Sequence, residues 1–454
     1  MRAIGLVVSA AWLCVACGGG GGGGLSDGVG NIGGGVCSPA NQRGFVFDTM
    51  QDWYLFQAQL PGNVGPNSAT TPEALLDLLI TPARDAGLDR NFSNLTTITQ
   101  DDAFFGEGRF PGFGFGFRVL DGTLRITQVI PNSPADAATF RRGDRIVAVD
   151  GQPVNSASEL SQLLSAVELD ASVDFDNERL VGEGFDPYSV TVTKDVVQTV
   201  PVPLHTVFDA SAGAIGYLDF RSFIGTAIEG QPGSGATLDD AFADFVAANV
   251  ATLIVDLRFN GGGLLRVAEE LANLIAGVPA ADEVLYGVRF NDARSNNDED
   301  VPFTPIPNLS INPALVIFIT TSGTASASEL VINSLGPHVQ TEVVGSPTFG
   351  KPVGQSAFDL DACDLRLRPV TFQFVNALGE GDFFDGLPVT TGCAVDDDLS
   401  RPLGDEQESM LEAALNYARN GDCAVGPSPA PAVMPARVRP DAPAGHAPRY
   451  LGVH

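Results

Sequence analysis

Ser326 stands in the stretch Gly323-Thr324-Ala325-Ser326-Ala327-Ser328-Glu329, after the apolar run Ala314 to Ile319 and before a helical pattern through Leu330, Val331 and Leu335. A strand, a tight turn and a helix are where α/β proteins place reactive groups. A serine at a helix amino terminus faces unpaired backbone N–H groups that can hold a developing oxyanion. The same position also suits a serine that only caps the helix, as Ser326 or Ser328 would. A nucleophilic serine needs a base, most often histidine. The chain has four histidines, and none fits. His446 and His454 lie in a proline-rich tail. His338 follows Ser326 by a helix of about ten residues, roughly 15 Å along its axis. His205 lies far upstream, with no residue beside it to orient the ring. All four read as structural or surface residues.

Lysine is the other base that pairs with serine, provided burial leaves its amine neutral. The chain contains only Lys194 and Lys351, against twenty-three arginines. A stray surface lysine is always possible, but a position that must release a proton cannot drift to arginine. Lys351 sits in Thr348-Phe349-Gly350-Lys351-Pro352-Val353-Gly354-Gln355, among glycines and apolar residues, with no acid closer than Glu342 and Asp359.

These residues require a scaffold, and the surrounding pattern supplies one. From Ala214 onward strand and helix patterns alternate, as in an α/β domain. Thr252 to Leu257 reads as an apolar strand, followed by Asn260-Gly261-Gly262-Gly263 and a helix through Leu264, Val267, Leu271 and Leu274. Upstream, Phe45 to Phe92 reads as helical, with Thr71 as a cap, Pro72 at the first helical position and Leu75, Leu76, Leu78 and Leu79 on an apolar face. Gly112 to about Val202 reads as short strands with one or two helices. One opens at Ser133-Pro134-Ala135, and the other carries Leu160, Leu163, Leu164 and Val167 behind a Ser156/Glu159 capping box. Asn291 to Asp300 reads as a solvated polar loop rather than a calcium site, and Gln407 to Arg419 as a last helix stopped by Gly421.

Taken together, these stretches resemble the C-terminal processing (tail-specific) serine peptidases of bacterial lipoprotein type. The family pattern has a serine in an S-A-S-E stretch, a lysine twenty-five residues later in F-G-K, and a glutamine four residues further on. Ser326, Lys351 and Gln355 keep that spacing. The family's D-L-R-x-N-x-G-G loop is matched by Asp256-Leu257-Arg258-Phe259-Asn260-Gly261-Gly262-Gly263. Gly112-Phe113-Gly114-Phe115, Ser133-Pro134-Ala135 and Gly143-Asp144-Arg145-Ile146 resemble its PDZ domain, and Asp89-Arg90-Asn91-Phe92-Ser93 the end of its helical leader. The resemblance implies an α/β catalytic core of the ββα-superhelix type shared with ClpP and crotonases, an inserted PDZ domain and a small helical amino-terminal region. It further implies Ser326 as nucleophile, Lys351 as base, Gln355 as its orienting partner, and backbone N–H groups of Gly262 (or its neighbour Gly261) and Ala327 as the oxyanion hole. No cofactor or metal is called for. In the PDZ domain, Gly112 to Phe115 would hold a substrate's terminal carboxylate and Leu160, Leu163 and Leu164 would wall the groove. Substrates would then be proteins or peptides with apolar carboxyl termini.

The expected layout is a signal over 1–17, a Gly-rich tether over 18–43, the helical region over 44–108, the PDZ domain over 109–203, the peptidase core over 204–425 and a disordered Pro-rich tail over 426–454. Met1 and Arg2 followed by the apolar run Ala3 to Ala16 suit export, and Val15-Ala16-Cys17 before Gly18 to Gly24 resembles a lipoprotein signal with Cys17 lipidated. The chain would thus be held to a bacterial membrane, facing the periplasm or the exterior. Cys37, Cys363, Cys393 and Cys423 would be oxidised there. Of three pairings, Cys363–Cys393 and Cys37–Cys423 are expected, the first bracketing one stretch of the last domain and the second the whole folded region. A net charge of -30 argues against nucleic acid, whose phosphates require Lys and Arg. Two rival functions are a crotonase-type acyl-CoA enzyme, against which export speaks, and a catalytically silent lipoprotein that only binds peptides. A binding module has no need for a deprotonable lysine.

Overall fold

The computed structural model describes residues 36–182, 184–209, 213–224, 234–276 and 283–424. Cys17, residues 18–35 of the expected tether, His446, His454 and the carboxyl-terminal tail lie outside the described residues, while residues 39–43, expected as tether, are the start of the helix Pro39–Trp53.

The core is a five-stranded sheet in the order Leu204–Phe208, Ala214–Asp219, Val250–Asp256, Leu315–Thr320, Gln340–Gly345. Its first pair is antiparallel and the remainder parallel. Parallel strands are covered on both faces, which is why they read as unbroken apolar runs. Alternate side chains serve opposite layers. Leu253, Val255, Val316 and Phe318 pack with the helices Leu265–Ala276 and Ala327–Leu335. Ile254, Ile317 and Ile319 pack on the other face with Met410, Leu411 and Leu415 of the helix Ser409–Asn420. That helix ends where expected, at Gly421 in the left-handed conformation. A second sheet, ordered Glu299–Pro302, Val284–Phe290, Val370–Val375, Val353–Gln355, carries the residues that follow Lys351.

The helices Pro39–Trp53 and Pro72–Asp85 form the amino-terminal region, with Thr71 Oγ1 accepting from Ala74 N at 3.2 Å and Pro72 at the first position. Their apolar faces share one core with Val353, Leu367 and Val370, which come from the second half of the chain. Residues 115–193 form a separate six-stranded sheet with its own core of Phe117, Ile126, Ile146, Phe175 and Leu160. The strand Phe115–Leu120 lies at its edge. Ser133 caps its short helix through Asp136 N. In the second helix Ser156 Oγ accepts from Glu159 N, but Glu159 reaches back to Asn155 N rather than to Ser156.

Several sequence expectations change. The disulfides are Cys37–Cys363 and Cys393–Cys423, not the pairing expected. Cys37 precedes a helix that packs beside the strand Phe358–Leu360, while Cys423 follows the carboxyl-terminal helix on the sheet face where Cys393 is buried. Residues 291–300 are not a loop: Asp292–Asn297 is a 3-10 turn and Glu299 opens a strand paired with Val284–Phe290. Asp298 Oδ1 accepts from Phe290 N and Arg289 pairs with Asp300, so the polar side chains secure a hairpin.

Candidate active site

Ser326 occupies the N-cap of the helix Ala327–Leu335, with φ 58° and ψ -116°. A non-glycine residue at positive φ costs of order 1–3 kcal/mol and persists only where its surroundings enforce it. The enforcing contacts come from the Asp256–Gly263 loop. Asn260 is fully buried; its carbonyl accepts from Ala325 N at 3.2 Å and from Ser328 Oγ at 2.9 Å, while its Nδ2 donates to Phe220 O. Ser328 is thus committed to Asn260 rather than to capping. Thr324 Oγ1 donates to Leu257 O, and Thr321 Oγ1 to Arg258 O. Gly262, at φ 99°, lies so close that a Cβ would come within 2.9 Å of both Ser326 Cβ and Ala327 N. Only glycine fits there.

The same loop is anchored by charge. Arg258 is buried and reaches Asp256 at 2.8 Å, Asp397 at 2.7 Å and Glu408 at 2.9 Å. Burial pushes Asp397 up, but Arg142 and Arg258 outweigh it and hold the carboxyl at about 2. Arg142 belongs to the six-stranded unit, so Asp397 joins that unit to the loop beside Ser326.

Lys351 lies in the turn after the strand Gln340–Gly345, where Phe349 N donates to Thr324 O at 2.9 Å and ties this turn to the serine turn. Its Nζ donates to Gln355 Oε1 at 2.8 Å, and Gln355 Nε2 donates to Phe92 O at 2.5 Å. The two bonds fix which way the amide faces. The Phe92 ring lies 5.3 Å from the amine. Burial lowers the amine to about 8, reinforced by Arg368 and opposed by the carboxylates of Asp89 and Glu329. No salt bridge or hydrogen bond joins Lys351 Nζ to an acid among the described residues, and none joins it to Ser326 Oγ. Lys194 is accounted for differently: its ammonium donates to Leu164 O and Val167 O, capping the carboxyl end of a helix.

The two histidines among the described residues are occupied elsewhere. His205 is oriented by Asp244, a partner the sequence did not suggest, and His338 lies between Glu283 and the carbonyl of Val284. Gly262 N–H donates to Asn260 Oδ1 at 2.9 Å. In the six-stranded unit Gly112 ends a short strand paired with Asp195–Gln198, Phe113 is buried, and Gly114 turns the chain into the edge strand at Phe115. Leu160 and Leu164, 0% and 3% exposed, belong to the unit's own core, and only Leu163 keeps a partly open face. A helix that is amphipathic toward its own domain looks in sequence like one that walls a groove.

Residues 214–384 match peptidase family S41, residues 125–175 a PDZ domain and residues 41–94 the peptidase S41 N-terminal domain. The chain is 26% identical over 315 residues to a carboxyl-terminal-processing protease of Synechocystis, 68% of each chain being covered. It is 24% identical over 271 residues to carboxy-terminal processing protease CtpB of Bacillus subtilis, over 58% of this chain and 51% of that one. Against most of these curated relatives the match spans about half their length. Among solved structures, a Bacteroides fragilis protein assigned to the S41 proteases superposes with a TM-score of 0.66 at 25% identity, over 82% of this chain and 96% of that one. The photosystem II D1 C-terminal processing protease shares the fold, with a TM-score of 0.50 at 19% identity over 79% and 93%. The chain belongs to peptidase family S41, with that family's N-terminal domain and a PDZ domain.

Proposed function

We propose that the protein is an exported serine endopeptidase working through Ser326 and Lys351. The observation that carries this is the Lys351 amine, held by Gln355 and Phe92 in a site that lowers it to about 8. At that value a usable fraction is neutral near pH 7, with a lone pair free to accept a proton. Ser326 Oγ attacks the scissile carbonyl as its proton passes to Lys351 Nζ. The tetrahedral oxyanion is held by backbone N–H groups of Ala327 and Gly262, the latter exchanging its bond to Asn260 Oδ1 for the substrate. The C–N bond breaks as Lys351 gives the proton to the departing amine, leaving an ester on Ser326. Water then attacks the ester as Lys351 again takes a proton, and the C–Oγ bond breaks as Lys351 returns that proton to Ser326 Oγ, releasing the acid. Catalytic hydrogen bonds often close only on substrate binding, which suits a structure without a direct Ser326–Lys351 bond.

The PDZ domain would select substrates by their carboxyl-terminal tails. Its edge strand Phe115–Leu120 offers a free side for an added strand, with Gly112 to Phe115 at its head and Phe115 and Leu163 as apolar contacts for the tail. Two disulfides suit an oxidising compartment. None of the helices among the described residues is long and apolar enough to cross a membrane, and attachment would come from lipidated Cys17. The test is to incubate the protein, and its Ser326→Ala form, with an unfolded protein ending in apolar residues and to map fragments by mass. Cleavage by the first and not the second supports the proposal, and equal cleavage overturns it.

A further inference from the structure

Lys351 is carried by two successive peptide units, Phe349–Gly350 and Gly350–Lys351, and each is gripped at both ends. Their carbonyls, of Phe349 and Gly350, accept from one nitrogen, Arg90 Nη2, at 2.8 and 2.5 Å. Their amides, of Gly350 and Lys351, donate to the two oxygens of Glu329 at 2.6 and 2.8 Å. Glu329 also accepts from Thr348 Oγ1 at 2.6 Å and from Ser326 N at 2.9 Å. A single oxygen, Glu329 Oε2, thereby bridges the backbone amides of Ser326 and Lys351. Gly350 cannot relax away from this grip: its φ is 90°, and a Cβ there would lie 2.3 Å from Phe384 O.

Resting on the Ser–Lys reading, we propose that Arg90 and Glu329 are positioning residues of the site, a charged clamp that fixes the backbone of Lys351 against that of Ser326. The amino-terminal S41 region is then part of the active centre, since it contributes Arg90 as well as the Phe92 carbonyl that holds Gln355. Glu329 has no exposed surface, and every donor around it points at its two oxygens, so it acts as an ionised acceptor. Burial raises its carboxyl, and the four donors oppose that rise. A glutamine would keep the shape but present an NH2 group to N–H donors, breaking one arm of the bridge. The charged groups around the Lys351 amine are Asp89 and Glu329, which favour its protonation, Arg368, which opposes it, and Arg90 across the same turn.

The test uses the full chain and a peptide substrate, with kcat, KM and the pH profile measured for Glu329→Gln, Arg90→Met and the double variant. A misplacement of the base by an ångström lowers rate on the order of 10²-fold. Each single variant should lose that much in kcat with KM little changed. The double should lose little more than the worse single, because both act on the same peptide units. Glu329→Gln should also move the midpoint of the acid limb to lower pH, as a negative charge near Lys351 is removed; a purely structural residue would leave it in place. Should Glu329→Gln not fold, Thr348→Val removes one donor from Glu329 and should lower kcat several-fold with the same KM. Wild-type kcat in these variants, or fully multiplicative losses with an unmoved midpoint, overturns the clamp. If Ser326→Ala is inactive while Glu329→Gln is unimpaired, the clamp alone fails; if Ser326→Ala cleaves normally, the Ser–Lys reading fails and the clamp with it.

Discussion

Replacing Lys351 by methionine should abolish cleavage and at the same time make the protein more stable at pH 7. A lysine drawn from 10.5 to about 8 by burial holds its proton less well in the folded chain than in the unfolded one. That difference corresponds to about 3 kcal/mol of destabilisation wherever both states are protonated. The sign follows from the direction of the shift. The penalty is complete below pH 8, fades between 8 and 10.5, and is gone above, where both states are neutral. Methionine fills similar volume without a charge, so it removes the penalty, while leaving Gln355 Oε1 without its donor offsets about 1 kcal/mol. Partial solvent access to Lys351 screens a further share. The net gain should be about 1–2 kcal/mol at pH 7, read as a higher urea midpoint in a Ser326→Ala background that prevents self-cleavage. At pH 10.5 the gain should vanish or reverse. A variant less stable at pH 7, or a gain undiminished at pH 10.5, would refute the claim that Lys351 is strained toward its neutral form.

The rate should carry the same signature: kcat/KM should rise about tenfold per pH unit up to about 8 and then level, and Lys351→Arg should be folded and inactive. A profile with its midpoint in the usual histidine range would point to another base. Amidating a substrate's carboxyl terminus, which removes a charge-assisted bond at the PDZ domain, should slow cleavage far more than the same change at a mid-chain side chain. Equal rates would mean that the Ser326 cleft alone selects substrates. Peptide mapping without reduction should recover Cys37–Cys363 and Cys393–Cys423, and Cys37→Ser with Cys363→Ser should cost about 2–5 kcal/mol. Recovery of any other pairing would contradict the placement of the amino-terminal helix.

Ser326 and Lys351 could be picked out as candidates because a rare lysine and a serine between strand and helix survive as signals without coordinates; Gln355 came only through the family resemblance, and the fold sets its amide on the Lys351 amine. The sheet was legible for a related reason, since strands covered on both faces must read as apolar runs, as Leu253 to Val255 and Val316 to Ile319 do. Arg90 could not be read in this way. Its partners are backbone carbonyls about 260 positions away, and any residue type presents the same carbonyl. Glu329 was visible as part of S-A-S-E, but that its oxygens join the amides of Ser326 and Lys351 is a property of the folded turn. The disulfides misled because bracketing along a chain says little about proximity across a sheet. Leu160 and Leu164 misled because the apolar stripe of a helix does not reveal whether a core or a ligand covers it.

The central claim is that an acyl group passes through Ser326. The most direct measurement is an acid quench within the first turnovers on a peptide substrate, followed by mass mapping of the enzyme's own peptides. A mass increment equal to the substrate's amino-terminal fragment less water, on the peptide containing Ser326 and absent from the Ser326→Ala variant, is the result expected. Turnover with that peptide always unmodified, or an increment on another residue that persists in Ser326→Ala, would contradict it.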